Sequence, residues 1–146
     1  MDGSVVVDAS VLTSWLVASD TNHKASRLWV EQYNARGGLL VAPALLVIEV
    51  AAAIARPTGQ PELAKAAVKK LNLVRTLRLV TVGSVFARSA VTIAADLRLR
   101  AGDSTYVTIA HKLHIPLVSW DKEQLNRAAV LISTYSPENY PFWNLQ

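Results

Sequence analysis

The sequence predicts an α/β fold in which a parallel sheet is covered by helices on both faces. Two observations carry this: short β-branched or apolar runs recur along the chain, and segments of helical periodicity separate them. With 146 residues, 51% of them hydrophobic, the chain suits a single domain over residues 1–146 with a sizeable core.

Val5-Val6-Val7 reads as a buried strand ending at Asp8, and Val11, Leu12, Trp15 and Leu16 then recur at helical spacing. Asn22 can cap a second helix bearing Leu28, Trp29 and Tyr33, which Arg36-Gly37-Gly38 stops. Leu39 to Ala42 is the next expected strand. Pro43 suits the first turn of a third helix towards Ile54, Pro57-Thr58-Gly59 punctuates its end, and Pro61 opens a basic fourth helix. Leu79 to Val82 is expected as a strand, Gly83-Ser84 as a turn, and Phe86, Ala90, Ile93, Ala94 and Leu97 as one face of a long helix. Gly102-Asp103 starts a helix to about Leu113. A strand from Pro116 to Ser119, a short helix after Asp121 and a last strand at Val130 to Ile132 follow. Ser133 to Gln146 reads as an irregular aromatic tail, whose Tyr140, Phe142 and Trp143 are expected to cover apolar surface near a subunit interface.

Composition narrows the chemistry. The chain has no cysteine, which excludes disulfides and thiolate-rich zinc or iron-sulfur sites. MDGSVVVDAS has neither a basic n-region nor a long apolar h-region, so a cytoplasmic location is expected. The apolar stretch from Gly37 to Ala55 is interrupted by Pro43 and Glu49 and reads as soluble core, with no membrane association. The net charge is +4, unevenly spread: Leu63 to Ala95 holds Lys65, Lys69, Lys70, Arg75, Arg78 and Arg88 and no acid. A solvated helix face explains such a run, and so does an anionic partner.

Ligand sites of open α/β sheets lie beyond the carboxyl ends of strands, which directs attention to Asp8 and Asp121. Both also precede helices, where Asp is a favoured cap, and Asp103 at a helix start shares that second reading. Glu49 differs. It is the only charge between Arg36 and Arg56, in a helix apolar all round, and such a helix is expected to be buried. A buried carboxylate needs a cation, a hydrogen-bond partner or a proton. Asp96 and Arg100, like Glu123 and Arg127, have the i,i+4 spacing of exposed helical pairs, with Glu123 a further candidate ligand beside Asp121. Converging acids would repel unless neutralised, and hard oxygen ligands select Mg²⁺ or Mn²⁺. Such ions suit phosphodiester hydrolysis.

The order Asp8 in VVVDAS, Glu49 in LLVIEVAAAI, Asp103 in GDSTYVTIA and Asp121 in LVSWD resembles the PIN-domain nucleases, and within them the VapC-type toxins. The resemblance covers nearly the whole chain. It implies a single three-layer PIN-like domain, RNA endonuclease activity, Mg²⁺ or Mn²⁺, a homodimer and a small antitoxin. It carries metal-binding and catalytic roles onto Asp8, Glu49, Asp103 and Asp121. Ser119 falls where the family often has Thr and could orient a carboxylate or water, and Ser10 falls where it often has a small hydroxyl residue. The family's extra acid after the last Asp has no match, Gln124 standing three residues on. Lys65, Lys69 and Lys70 are expected to hold the RNA backbone.

Rival chemistries fit less well. His111 and His114 share a helix without a third ligand at zinc spacing, no nucleophile elbow such as G-x-S-x-G is present, and Val82-Gly83-Ser84 offers no acceptor Asp for a phospho-receiver domain. A DNA nuclease of related fold and a non-catalytic module with a relic site remain open.

Overall fold

The computed structural model describes residues 3–142. Five strands form one sheet: β1 (Ser4–Val7), β2 (Leu39–Pro43), β3 (Leu77–Val80), β4 (Leu117–Val118) and β5 (Thr134–Tyr135). The order is β3-β2-β1-β4-β5 and every pairing is parallel. Between them run α1 (Ala9–Leu16), α2 (His23–Ala35), α3 (Leu46–Thr58), α4 (Pro61–Leu71), α5 (Ser84–Leu97), α6 (Ala101–Leu113) and α7 (Lys122–Ala128), with a 3₁₀ turn at Pro137–Asn139. All four residues of β1 are buried, so the central strand is covered on both faces as the α/β expectation requires. Val5, Leu40, Leu117, Trp29 and Leu46 anchor the core.

Gly37 and Gly38 end α2 in different ways. Gly37 takes the left-handed conformation at φ +76°, while a side chain on Gly38 would lie 2.1 Å from the Tyr33 ring. The turn therefore requires both.

Three boundaries differ from expectation. Pro43 ends β2 and does not open α3. Leu40 and Ala44 donate to β3, so the Pro43 nitrogen faces the β1 side, where pairing stops at Val41. A missing N–H loses no ladder bond there. β3 starts two residues earlier than the Leu79 expected, because the Leu77 N–H closes a turn onto Val74 and Leu40 already pairs with the Thr76 carbonyl. The last strand is not at Val130 to Ile132, since Leu131 and Ile132 both donate back to the Ala128 carbonyl in the turn that closes α7. Extended backbone beside β4 begins at Ser133, inside the stretch expected to be an irregular tail.

Candidate active site

Chain order runs outward from β1 to β2 and β3 on one side and through β4 to β5 on the other, so the topological switch lies between β1 and β4. Asp8 follows β1 and Asp121 lies three residues past the end of β4. Both are also helix caps. The Ser10 N–H donates to Asp8 Oδ2 at 3.1 Å and the Gln124 N–H to Asp121 Oδ1 at 3.1 Å. The capping and site readings are thus compatible, since capping fixes each carboxylate at the carboxyl edge of the sheet.

Glu49 comes to the same edge in the first turn of α3, and Asp103 in the first turn of α6. A helix leading into a parallel strand starts at that strand's carboxyl end, which explains how Asp103 reaches a site formed by distant residues. Asp103 is not the cap of α6. Arg100 holds that position, without a side-chain cap bond. Nor is α3 buried all round as expected. Its inward stripe is Leu46, Val50 and Ile54, while Ile48 is 69% exposed and Glu49 is half-buried. The Tyr106 hydroxyl donates to Glu49 Oε1 at 2.6 Å, supplying the hydrogen-bond partner this carboxylate requires. Gly102 permits the approach, as a methyl group there would stand 3.1 Å from Glu49 Oε2.

Asp8, Glu49 and Asp103 border one cleft of about 430 Å³, with Ser10 and Trp120 in its wall. Asp121 does not line it. Its charge nevertheless acts on Asp8 and Asp103. Burial raises the Asp8 carboxyl above its usual range, hydrogen bonds from Ser10 and Ser119 pull it back, and Asp121 pushes it up again. Glu49 is raised by burial and by Asp8, against the Tyr106 bond. Asp103 is pushed up to about 6, by burial first and then by Asp8 and Asp121, with Arg100 opposing. Charge is concentrated here beyond what the surroundings neutralise.

A family model for the PIN domain matches residues 5–131. This chain belongs to the PIN-domain family. Several PIN-fold structures superpose on it. VapC20 of Mycobacterium tuberculosis, described as a sarcin-ricin loop cleaving toxin, is 19% identical over 84% of this chain and 93% of its own, with a TM-score of 0.69. FitAcB of Neisseria gonorrhoeae is 13% identical over 93% and 99%, also at 0.69. VapBC2 of Rickettsia felis, bound to a DNA fragment from its promoter, is 8% identical over 91% and 98%, at 0.68. At such identities the likeness concerns the fold. No curated protein sequence matches the chain.

Within this PIN domain a hydroxyl network ties the acids together. Ser119 donates to Asp8 Oδ2 at 3.1 Å and accepts from the Asp121 N–H at 3.0 Å, while Ser10 lies 3.3 Å from Ser119 and accepts from the Trp120 N–H. One side chain, Ser119, therefore links the Asp8 carboxylate to the turn that carries Asp121. Among the described residues, no group of three or more His, Asp or Glu side chains is already arranged to hold an ion. The donor chemistry still fits a hard divalent cation, because several carboxylates with raised proton affinity face or act on one cleft.

Lys65, Lys69 and Lys70 are exposed on α4 and do not line this cleft, and Lys65 pairs with Glu62 at 3.1 Å. Glu123 pairs with Arg127 as expected, but Asp96 does not pair with Arg100. The reason is local: α5 ends at Leu97 and Arg98 turns left-handed, which breaks the helical spacing and leaves the Arg100 charge acting on Asp103. Sequence pattern does not mark Tyr106 or Trp120 as site residues. A buried tyrosine hydroxyl and a lone acid in an apolar helix are complementary demands, but their pairing across 57 positions is a tertiary fact. Among the described residues no helix is long and apolar enough to cross a membrane.

Proposed function

We propose that this chain is a metal-dependent endoribonuclease, the toxin of a toxin-antitoxin pair acting on cytoplasmic RNA. The observation that carries the reading is the gathering of Asp8, Glu49 and Asp103 on one cleft at the switch point of a PIN domain, with Asp121 coupled to it by charge. Asp8, Glu49, Asp103 and Asp121 would hold Mg²⁺ or Mn²⁺. A cation held there supplies positive charge that polarises the phosphodiester and lowers the pKa of water. Ser119 orients Asp8 through its hydrogen bond, and Tyr106 keeps Glu49 turned into the cleft. The toxin assignment is supported by the toxins and toxin-antitoxin complexes among the structural neighbours. The apolar outer side of α3, with Ile48 exposed, favours a covering protein, either the antitoxin or a second copy in a homodimer.

The test is cleavage of RNA and of DNA of matched sequence by the purified protein with Mg²⁺ or Mn²⁺ and with EDTA. RNA cleavage abolished by EDTA is expected, and equal cleavage in EDTA rules the metal out. In the same preparation, divalent metal should raise the melting temperature of wild type more than that of Glu49→Gln, because a ligand bound only by the native state stabilises it. Equal shifts would remove Glu49 from the site.

Lys65, Lys69 and Lys70 are assigned to the RNA backbone, outside the cleft. Their joint change to Ala should raise KM far more than it lowers kcat, since such contacts serve ground and transition states alike. The log-log salt slope of binding should become shallower by about 0.7 for each phosphate that these lysines neutralise. Unaltered affinity at low salt would return these lysines to the role of a solvated face.

A further inference from the structure

A second groove adjoins the acidic cleft, and the two share one residue, Trp120. This groove, of about 440 Å³, is bordered by Lys122, Asn126, Tyr135 and Asn139. Trp120 follows Ser119, which orients Asp8, and borders both the acidic cleft and the groove. The ring is held from both ends. Its Nε1–H donates to Ser26 Oγ at 2.7 Å, and Ser26 is fully buried and lies 2.6 Å from Ser14 Oγ. Its backbone N–H donates to Ser10 Oγ at 3.0 Å. A partly exposed indole fixed this way has lost its rotamer freedom before any ligand arrives, which is the condition for a stacking platform.

We infer that Trp120 and the groove beyond it form a subsite that stacks one unpaired nucleotide flanking the scissile phosphate. The inference rests on the nuclease reading in taking RNA as the ligand. Aromatic faces stack bases of any sequence, and only unpaired bases are free to be splayed onto them. Exposed Lys122 supplies a phosphate contact, and the Asn126 amide can reach a base edge. Exposed Glu138 also borders the groove and offsets part of the Lys122 charge, which gives stacking the larger share of the recognition. Sequence preference at this position is accordingly weak.

The experiment measures fluorescence anisotropy of a labelled mixed-sequence RNA of about 12 nucleotides, alone and annealed to its complement, in an Asp103→Asn background that keeps the RNA intact. The background protein should favour the single strand by about tenfold, Trp120→Leu should erase that preference, and Trp120→Phe should keep most of it. A preference unchanged in Trp120→Leu, or absent in the background protein, overturns the platform and leaves the ring to the core or to a protein partner. Should Trp120→Leu fail to fold, an abasic scan of the RNA decides on the background protein itself. One position should then weaken binding by about tenfold, and a uniform scan overturns the inference. Cleavage by wild type is scored separately. Single-strand preference without cleavage removes the nuclease reading alone, and cleavage without the preference removes the platform alone.

Discussion

Asp103→Asn should lower metal-dependent RNA cleavage by more than about 100-fold while the metal-free protein melts at a higher temperature than wild type. Asn preserves the size of the side chain, and Arg100 rather than Asp103 holds the cap position of α6, so the cap is untouched and only the modest attraction of a first-turn acid to the helix dipole is lost. The stability gain follows from linkage. The Asp103 pKa is raised from 3.8 to about 6 on folding, so between those values the native state holds the proton more tightly than the unfolded chain. Stability therefore falls as pH rises through that window, and above about 6 the native state carries the full penalty of an ionised Asp103 beside Asp8 and Asp121. Replacing the carboxylate removes that penalty. The paired measurements are initial cleavage rates with Mn²⁺ and calorimetric melting in EDTA near pH 7.5, a pH above the window. A variant that cleaves at the wild-type rate would refute the site. One that melts lower than wild type would show that Asp103 stabilises the fold.

Truncation that removes Tyr140 to Gln146 should lower the melting temperature by roughly 10 °C or more. Phe142 is 5% exposed, and its ring lies 4.7 Å from that of Tyr140 and under the Arg36 guanidinium at 5.0 Å. Tyr140 meets Trp29 and Tyr33 edge-on at 5.7 and 5.8 Å, and those two stack on each other along α2. Removing a buried phenylalanine side chain costs about 3–5 kcal/mol, and breaking each aromatic pair adds about 0.5–1.5 kcal/mol. Both rings pack on α2 of their own chain, so the apolar surface they cover lies within one protomer. Trp143 lies outside the described residues. The effect should accordingly fall on melting, with molecular mass by light scattering unchanged. A melting curve identical to wild type would count decisively against this account.

How far the sequence reached depended on the range of the interaction. Val5 to Val7 had to be a buried strand because three consecutive β-branched residues leave no polar face. The caps Asp8 and Asp121, the stop at Gly37-Gly38 and the pair Glu123 with Arg127 each involve residues within about four positions, and all were legible. The order of four acids on alternating elements was enough for the PIN resemblance. What failed also had a local cause that sequence pattern does not report. Val130 and Ile132 have strand composition, yet the turn closing α7 captures that backbone before β5 begins. Glu49 sits among apolar neighbours without being enclosed by them, because an apolar helix face can lie uncovered in a single chain.

The sequence by itself determined the fold class, the placement of acids after strands and at helix starts, and the chemical demand that a carboxylate at position 49 finds a partner. Only the tertiary structure decided that Tyr106 answers that demand, that Ser119 joins Asp8 to the Asp121 turn, and that Trp120 divides two grooves. The physical reason is that hydrophobic periodicity and capping are properties of a few neighbouring residues, whereas these contacts join elements 57 to 111 positions apart. Their partners are chosen by the register of β1 against β4 and by the packing of α6 on the sheet, and neither leaves a mark on any local stretch of sequence.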